Sequence, residues 1–143
     1  MTARYFYCER KGDKLLMWDE KRLWRLSQDL PVKAVPVESI STFDDNCWFP
    51  PDAGAKPSCK AVAEHAKRIY EADLAHPVIL SAGGKLMDGM HRVAKAWILG
   101  MKEVRAVQFS ADPQPDRILP LRKKATSQDV PRKEVLGKSA PTG

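Results

Sequence analysis

The stretch Val78-Ile79-Leu80-Ser81-Ala82-Gly83-Gly84-Lys85-Leu86-Met87-Asp88-Gly89-Met90-His91-Arg92-Val93 decides how the chain is read. An apolar run, His76-Pro77-Val78-Ile79-Leu80, leads into Gly83-Gly84, and a second, Leu86-Met87, meets Asp88-Gly89. Paired glycines between apolar runs predict a hairpin, because both central turn positions can then take positive φ. A helical pattern starts directly afterwards. Asp88 is expected as its N-cap, accepting from the backbone N–H of Met90 or His91. Gly89 is expected where a Cβ would crowd whatever approaches the first turn. The helix then opens with His91 and Arg92. First-turn N–H groups, the positive dipole end and an arginine together define an anion site, with phosphate as the expected ligand. The dipole alone contributes only ~0.3–1 kcal/mol per charge, so further ligands are required.

Working outward, the same helix is expected to run to Leu99, with Gly100 as its left-handed C-terminal residue and Val93, Ala94 and Trp97 as its core stripe. Ala94 and Ala96 allow close packing on a sheet. Glu103 to Phe109 alternates as a terminal strand. Upstream, Ser58 is the expected N-cap of a helix running to about Ala72, with Val62, Ala66, Ile69 and Tyr70 buried. His65 and Arg68 share a face of that helix and are expected in solvent, from which both can reach a bound anion. Before it lies Ser41-Thr42-Phe43-Asp44-Asp45-Asn46-Cys47-Trp48-Phe49-Pro50-Pro51-Asp52, a loop too aromatic for a plain linker. Asp44 and Asp45 are suited to general-base work or to holding magnesium, or else simply to making a turn. Val32 to Ile40 alternates as a strand that Pro36 confines to an edge. At the start, Tyr5–Cys8 and Lys14–Trp18 are expected to pair as a hairpin. Asp19 then caps a helix to about Gln28, with Leu23, Leu26, Leu30, Trp18 and Trp24 in the core.

The resulting order of elements predicts a small α+β domain with a mixed sheet. Its expected divisions are an N-terminal hairpin and helix over 1–31, the main domain over 32–116, and a basic tail over 117–143, in which Ile118-Leu119-Pro120-Leu121 can dock as a short segment and disorder is expected from about Lys123. Of the net charge of +6, that last segment supplies most, with seven Lys/Arg against two Asp/Glu. Such a tail is a candidate for salt-sensitive nucleic-acid binding. No apolar run approaches the ~20 residues needed to cross a bilayer, and no secretory h-region is seen, so a cytoplasmic protein without membrane contact is expected. Three cysteines without Cys-x-x-Cys spacing argue against a disulfide framework or a zinc cage, and are expected as small buried hydrophobes. A metal shared by His91, Asp88 and His65 is disfavoured, since only Asp88 and His91 meet easily at helical spacing. No heptad pattern marks a coiled coil, and the oligomeric state is left open. Glycine-rich Rossmann and Walker signatures and a Gly-x-Ser-x-Gly elbow are all absent.

From Val35 to Phe109 the chain resembles the ParB/sulfiredoxin superfamily. The resemblance rests on the Pro77–Leu80 strand, Gly83-Gly84, Asp88-Gly89-Met90-His91-Arg92, the small-residue helix with Ala94, Ala96 and Gly100, and the Val104–Val107 strand. It implies that this loop and helix N-terminus hold nucleotide phosphates, as in the chromosome-partitioning CTPases, sulfiredoxin and the ADP-dependent free-serine kinase. The Asp-Gly-x-His-Arg form is most similar to the kinase-like branch. On that likeness, Gly89, Met90 and His91 supply backbone amides, and His91 and Arg92 neutralise charge. His65 and Arg68 lie nearby, and Asp44 or Asp45 stands in the neighbourhood of the catalytic acid. The expected ligand is ATP, ADP or CTP with Mg2+, and the expected chemistry is phosphoryl transfer or nucleotide hydrolysis. Met90 stands where sulfiredoxin has its catalytic cysteine, so that reaction is not expected. Met90-His91 also departs from the Glu-Arg-Arg form of the partitioning branch, which puts a CTP preference in doubt. The alternatives are a DNA-associated module that uses the basic tail and a non-catalytic, partner-binding domain.

Overall fold

The computed structural model describes residues 5–51 and 54–121. The chain opens as an antiparallel hairpin of β1 (Phe6–Lys11) and β2 (Lys14–Asp19), with Tyr7 opposite Trp18. Asp19 caps α1 (Glu20–Leu26), its carboxylate accepting from the Lys21 N–H at 2.9 Å. Of the expected leucine face only Leu23 is fully buried, while Trp24 and Leu26 are exposed. A helix of seven residues turns too little of its length inward to bury more. Next come β3 (Lys33–Pro36) and two 3-10 turns, Val37–Ser39 and Ser41–Asp44. The strand therefore ends at Pro36 instead of Ile40, and it sits on a sheet edge, as a residue without an N–H requires.

The expected strand–turn–strand–helix unit is present as β4 (Val78–Leu80), β5 (Leu86–Asp88) and α3 (Met90–Ile98), followed by β6 (Glu103–Gln108). The sheet order is β3-β6-β4-β5, with β4 parallel to β6 and the other pairs antiparallel. The hairpin turn differs from expectation, since of the two glycines only Gly84 has positive φ, at +89°. The Gly84 N–H donates to the Ser81 carbonyl at 2.9 Å and the Ser81 N–H to the Lys85 carbonyl at 2.8 Å. This three-residue loop needs a single left-handed position.

Strand alternation divides the core. Val78, Leu80, Val104 and Ala106 face one way and pack with Met90, Val93 and Ala96 of α3. Ile79, Met87, Val107 and Phe109 face the other and pack with Tyr7, Trp18 and Leu23. The central strands are thus covered on both faces, which explains their uninterrupted apolar character. The N-terminal hairpin is accordingly a layer of this core and shares it with the main domain. Burial pushes the Tyr7 phenol well above its usual range, with Glu9 adding to the effect. The last described strand, β7 (Arg117–Pro120), pairs antiparallel with β2, placing Ile118 opposite Leu16. Residues 117–121 therefore belong to the fold: the boundary expected at Arg117 moves, and the docking segment 118–121 joins the sheet, with 118–120 inside β7. The remainder of the basic segment lies outside the described residues. Trp18 Nε1 donates to the Pro113 carbonyl at 2.7 Å and Arg22 meets Asp116 at 3.1 Å, fixing the connection into β7.

Helix α2 (Cys59–Glu71) is capped by Ser58, whose hydroxyl accepts from the Ala61 N–H at 3.1 Å. Its expected stripe is corrected: Val62 and Ala66 are exposed and Tyr70 is 81% exposed. The inward face is one position away and centres on His65. Cys59, at the first turn, is exposed, and Cys8 and Cys47 are only part-buried, so the cysteines are not uniformly buried. Trp97 of α3 is likewise 63% exposed, meeting only the margin of the core through the Phe43 ring at 6.2 Å. The C-terminal end of α3 closes as expected, with the Met101 N–H donating to the Ala96 carbonyl at 2.9 Å and Gly100 at φ +73°. The architecture is α+β, and among the described residues no helix is long and apolar enough to cross a membrane.

Candidate functional site

The first turn of α3 starts on Gly89, not on Asp88. Gly89 has φ +109°, and a Cβ there would lie 2.6 Å from Val78 Cγ1. The glycine thus lets the helix start press onto β4, and its space is taken by Val78. Asp88 ends β5, and its carboxylate lies 3.8 Å from the Arg92 guanidinium, each side chain only 12% exposed. Arg92 also donates to the Pro77 carbonyl at 3.1 Å. Asp88 is occupied with its i,i+4 partner, and Gly89 takes the capping position without a side chain. Whereas the N-cap side chains of α1 and α2 each cap their helix, the N-cap residue of α3, Gly89, has no side chain to do so.

His91 points into the protein and is fully buried, and His65 comes down to meet it from α2. His65 Nδ1 and His91 Nε2 are 2.8 Å apart. The expectation of a solvated His65 is corrected, as is the view that Asp88 is the easier neighbour for His91. The pairing follows from α2 lying across α3 with its 61-65-68-72 face inward. Hydrophobic spacing hid this, since His65 stands where an apolar residue would ordinarily mark the buried face. His91 Nδ1 is buried without a hydrogen-bond partner among the described residues. A proton there would be an unpaired buried donor, so the favoured tautomer carries it on Nε2 and donates to His65 Nδ1.

Both imidazoles are held neutral. Burial, reinforced by the Arg68 charge and partly offset by Glu64, lowers His65 to about 4. Burial, then His65, Arg68 and Arg92, lowers His91 to about 3. At neutral pH His91 therefore contributes hydrogen bonding and ring surface, while the positive charge comes from the arginines. Arg68, on the same inward side of α2, is close enough to act on both rings.

The aromatic loop closes over this pair. The Trp48 indole stacks on His65 at 4.4 Å and on His91 at 4.7 Å, with interplanar angles of 14° and 11°. Phe49 stands edge-on to His65 at 5.3 Å. The loop's aromatic content marked it as unusual, but nothing in its spacing tied Trp48 to the two histidines. Asp44 closes the second 3-10 turn and Asp45 follows it, both exposed. That turn is anchored beside the candidate site, because Thr42 Oγ accepts from the Leu86 N–H of β5 at 3.1 Å. Asn46, rather than either aspartate, makes the local side-chain turn, bonding the Phe49 N–H at 2.9 Å and carbonyl at 2.7 Å. Among the described residues no three His, Cys, Asp or Glu side chains gather as a metal site. Comparison with protein families, with curated proteins and with solved structures gives no match.

Proposed function

We propose that this is a nucleotide-binding domain of ParB/sulfiredoxin type, in which the first turn of α3 holds a phosphate. The observation that carries the reading is the start of α3, where Gly89 opens the helix without a side-chain cap and Arg92 stands one turn on. An anion there takes the place that Asp19 and Ser58 fill at α1 and α2. The amides of Met90, His91 and Arg92 supply the donors. Arg92 and Arg68 supply charge, and the neutral His91 holds the turn against α2 by its bond to His65. Magnesium, where present, would be held by the nucleotide's own phosphates together with a carboxylate, Asp88 or one of the exposed pair Asp44 and Asp45. It would offset phosphate charge. Phosphoryl transfer is chiefly positioning and charge neutralisation, so a sparse set of groups suffices, with Asp44 or Asp45 accepting a proton from an attacking hydroxyl.

Calorimetric titration with ATP, ADP, CTP and GTP in magnesium tests the binding. The expected result is saturable binding that Arg92→Lys weakens and Arg92→Ala weakens further. Because Arg92 also holds Pro77, circular dichroism of both variants must match the parent. Transfer to free serine and other hydroxyl acceptors, with Asp44→Ala and Asp45→Ala, then tests turnover. Absence of saturable binding by any of the four nucleotides overturns the proposal.

A further inference from the structure

The two imidazoles form more than a hydrogen bond. Their planes are within 14° and their centroids 5.1 Å apart, so the rings lie edge to edge and present one extended flat face. The indole of Trp48 covers that face, its fused rings spanning both imidazoles. Offset stacking at such distances holds a ring by its face, without regard to the polar atoms on its rim. The rim of the indole is in fact unsatisfied here, since Trp48 Nε1 is buried with no hydrogen-bond partner among the described residues. A buried N–H left unpaired weakens the hold of the site on its occupant. The seat thus fits the shape of a fused six–five ring system, and its present occupant is poorly matched in hydrogen bonding.

Position adds the second half of the argument. His91 supplies both part of the flat face, through its side chain, and a first-turn amide of α3, through its backbone. The flat face and the helix start therefore adjoin at a single residue. A ligand with a flat heteroaromatic ring and a phosphate can occupy both, and a purine has the ring size of an indole. Trp48 belongs to the stretch 45–50, which has no helix or strand of its own, with Asn46 bonding within it to Phe49. Displacing Trp48 breaks no strand or helix within that stretch.

We propose that Trp48 is an exchangeable cap, occupying on the His65–His91 face the seat of a nucleotide's purine ring. This rests on the reading of the α3 start as a phosphate site, which it extends by naming the ring. While the cap is seated, only the uncapped fraction of the protein is competent for the ring, and apparent affinity is reduced by that fraction.

The test measures binding of adenosine, ADP and pyrophosphate to the full chain, to Trp48→Ala and to Trp48→Leu. Leucine keeps apolar cover over the histidines if alanine destabilises the fold. Removing the flat cap is expected to tighten adenosine and ADP by about fivefold or more and to leave pyrophosphate unchanged. In the parent, ADP should change the part of the tryptophan emission that Trp48→Leu abolishes. Unchanged or weaker ADP and adenosine binding in folded variants overturns the cap, even where pyrophosphate still binds. Tightened adenosine binding with no pyrophosphate binding keeps the ring seat and removes the phosphate reading instead.

Discussion

At the scale of single residues, Gly89 carries a structural demand that can be measured. Positive φ and the approach to Val78 act together, so Gly89→Ala should cost about 2–5 kcal/mol in urea unfolding. A loss below ~1 kcal/mol would show that β4 yields to the new methyl. The histidine pair makes a second prediction. Both rings have folded pKa values, about 4 and about 3, below the ordinary 6.5. Between those limits the unfolded chain binds more protons, so stability falls as pH drops below about 6.5 and stops falling where the folded rings take protons themselves. With up to ~1.4 kcal/mol per pH unit for each ring, about 4 kcal/mol is lost between pH 7 and pH 5. Urea unfolding at the two pH values checks this, and equal stabilities would contradict a buried neutral pair.

Single elements show what was legible in the sequence and what was not. The strand–turn–strand–helix unit was legible because its glycines and apolar runs are local signals, and Ser58 and Asp19 cap helices as their side chains predict. The inward face of α2 was not. Its apolar residues, Val62, Ala66 and Tyr70, lie on a face the fold leaves open, and a histidine occupies the buried one. Periodicity gives a helix and its faces, but the choice between faces is made by what packs against it. Accordingly, Val62→Ser and Tyr70→Ser should each shift stability by less than ~0.5 kcal/mol. A loss of ~2 kcal/mol at either position would restore the face read from hydropathy. The cap of α3 was misread for a related reason. Asp88 has the right chemistry for an N-cap, but pairing with Ile79 keeps it in β5, and its carboxylate turns to Arg92. Local patterns single out His65, Arg68, His91 and Arg92 as candidates, but the contact between the two histidines is made across 26 positions of sequence and leaves no local trace.

For the whole molecule, the described fold is held together by its ends. The hairpin β1–β2 lies over one face of the central sheet, and β7 returns to pair with β2, so the third layer depends on residues from both termini. Leu119 and Leu121 pack on Phe6, Leu15 and Met17. A chain ending at Asp116 should therefore be less stable than one ending at Leu121 by about 2–4 kcal/mol, given ~1.5–3 kcal/mol for a fully buried leucine and the part-burial of these two. Equal melting of the two chains would place the fold boundary before β7. This layer also positions the site indirectly, since Ile79 and Met87 anchor β4 and β5 on it while Val78 and Leu86 face the α3 side.

The central claim is that a phosphate binds at the start of α3, and amide chemical shifts read that location directly. Titration of the isotope-labelled chain with magnesium and ADP should move the N–H resonances of Gly89, Met90, His91 and Arg92 most, saturating together with those of His65 and Trp48. Shifts confined to other parts of the chain, or none at millimolar ADP, would contradict the account.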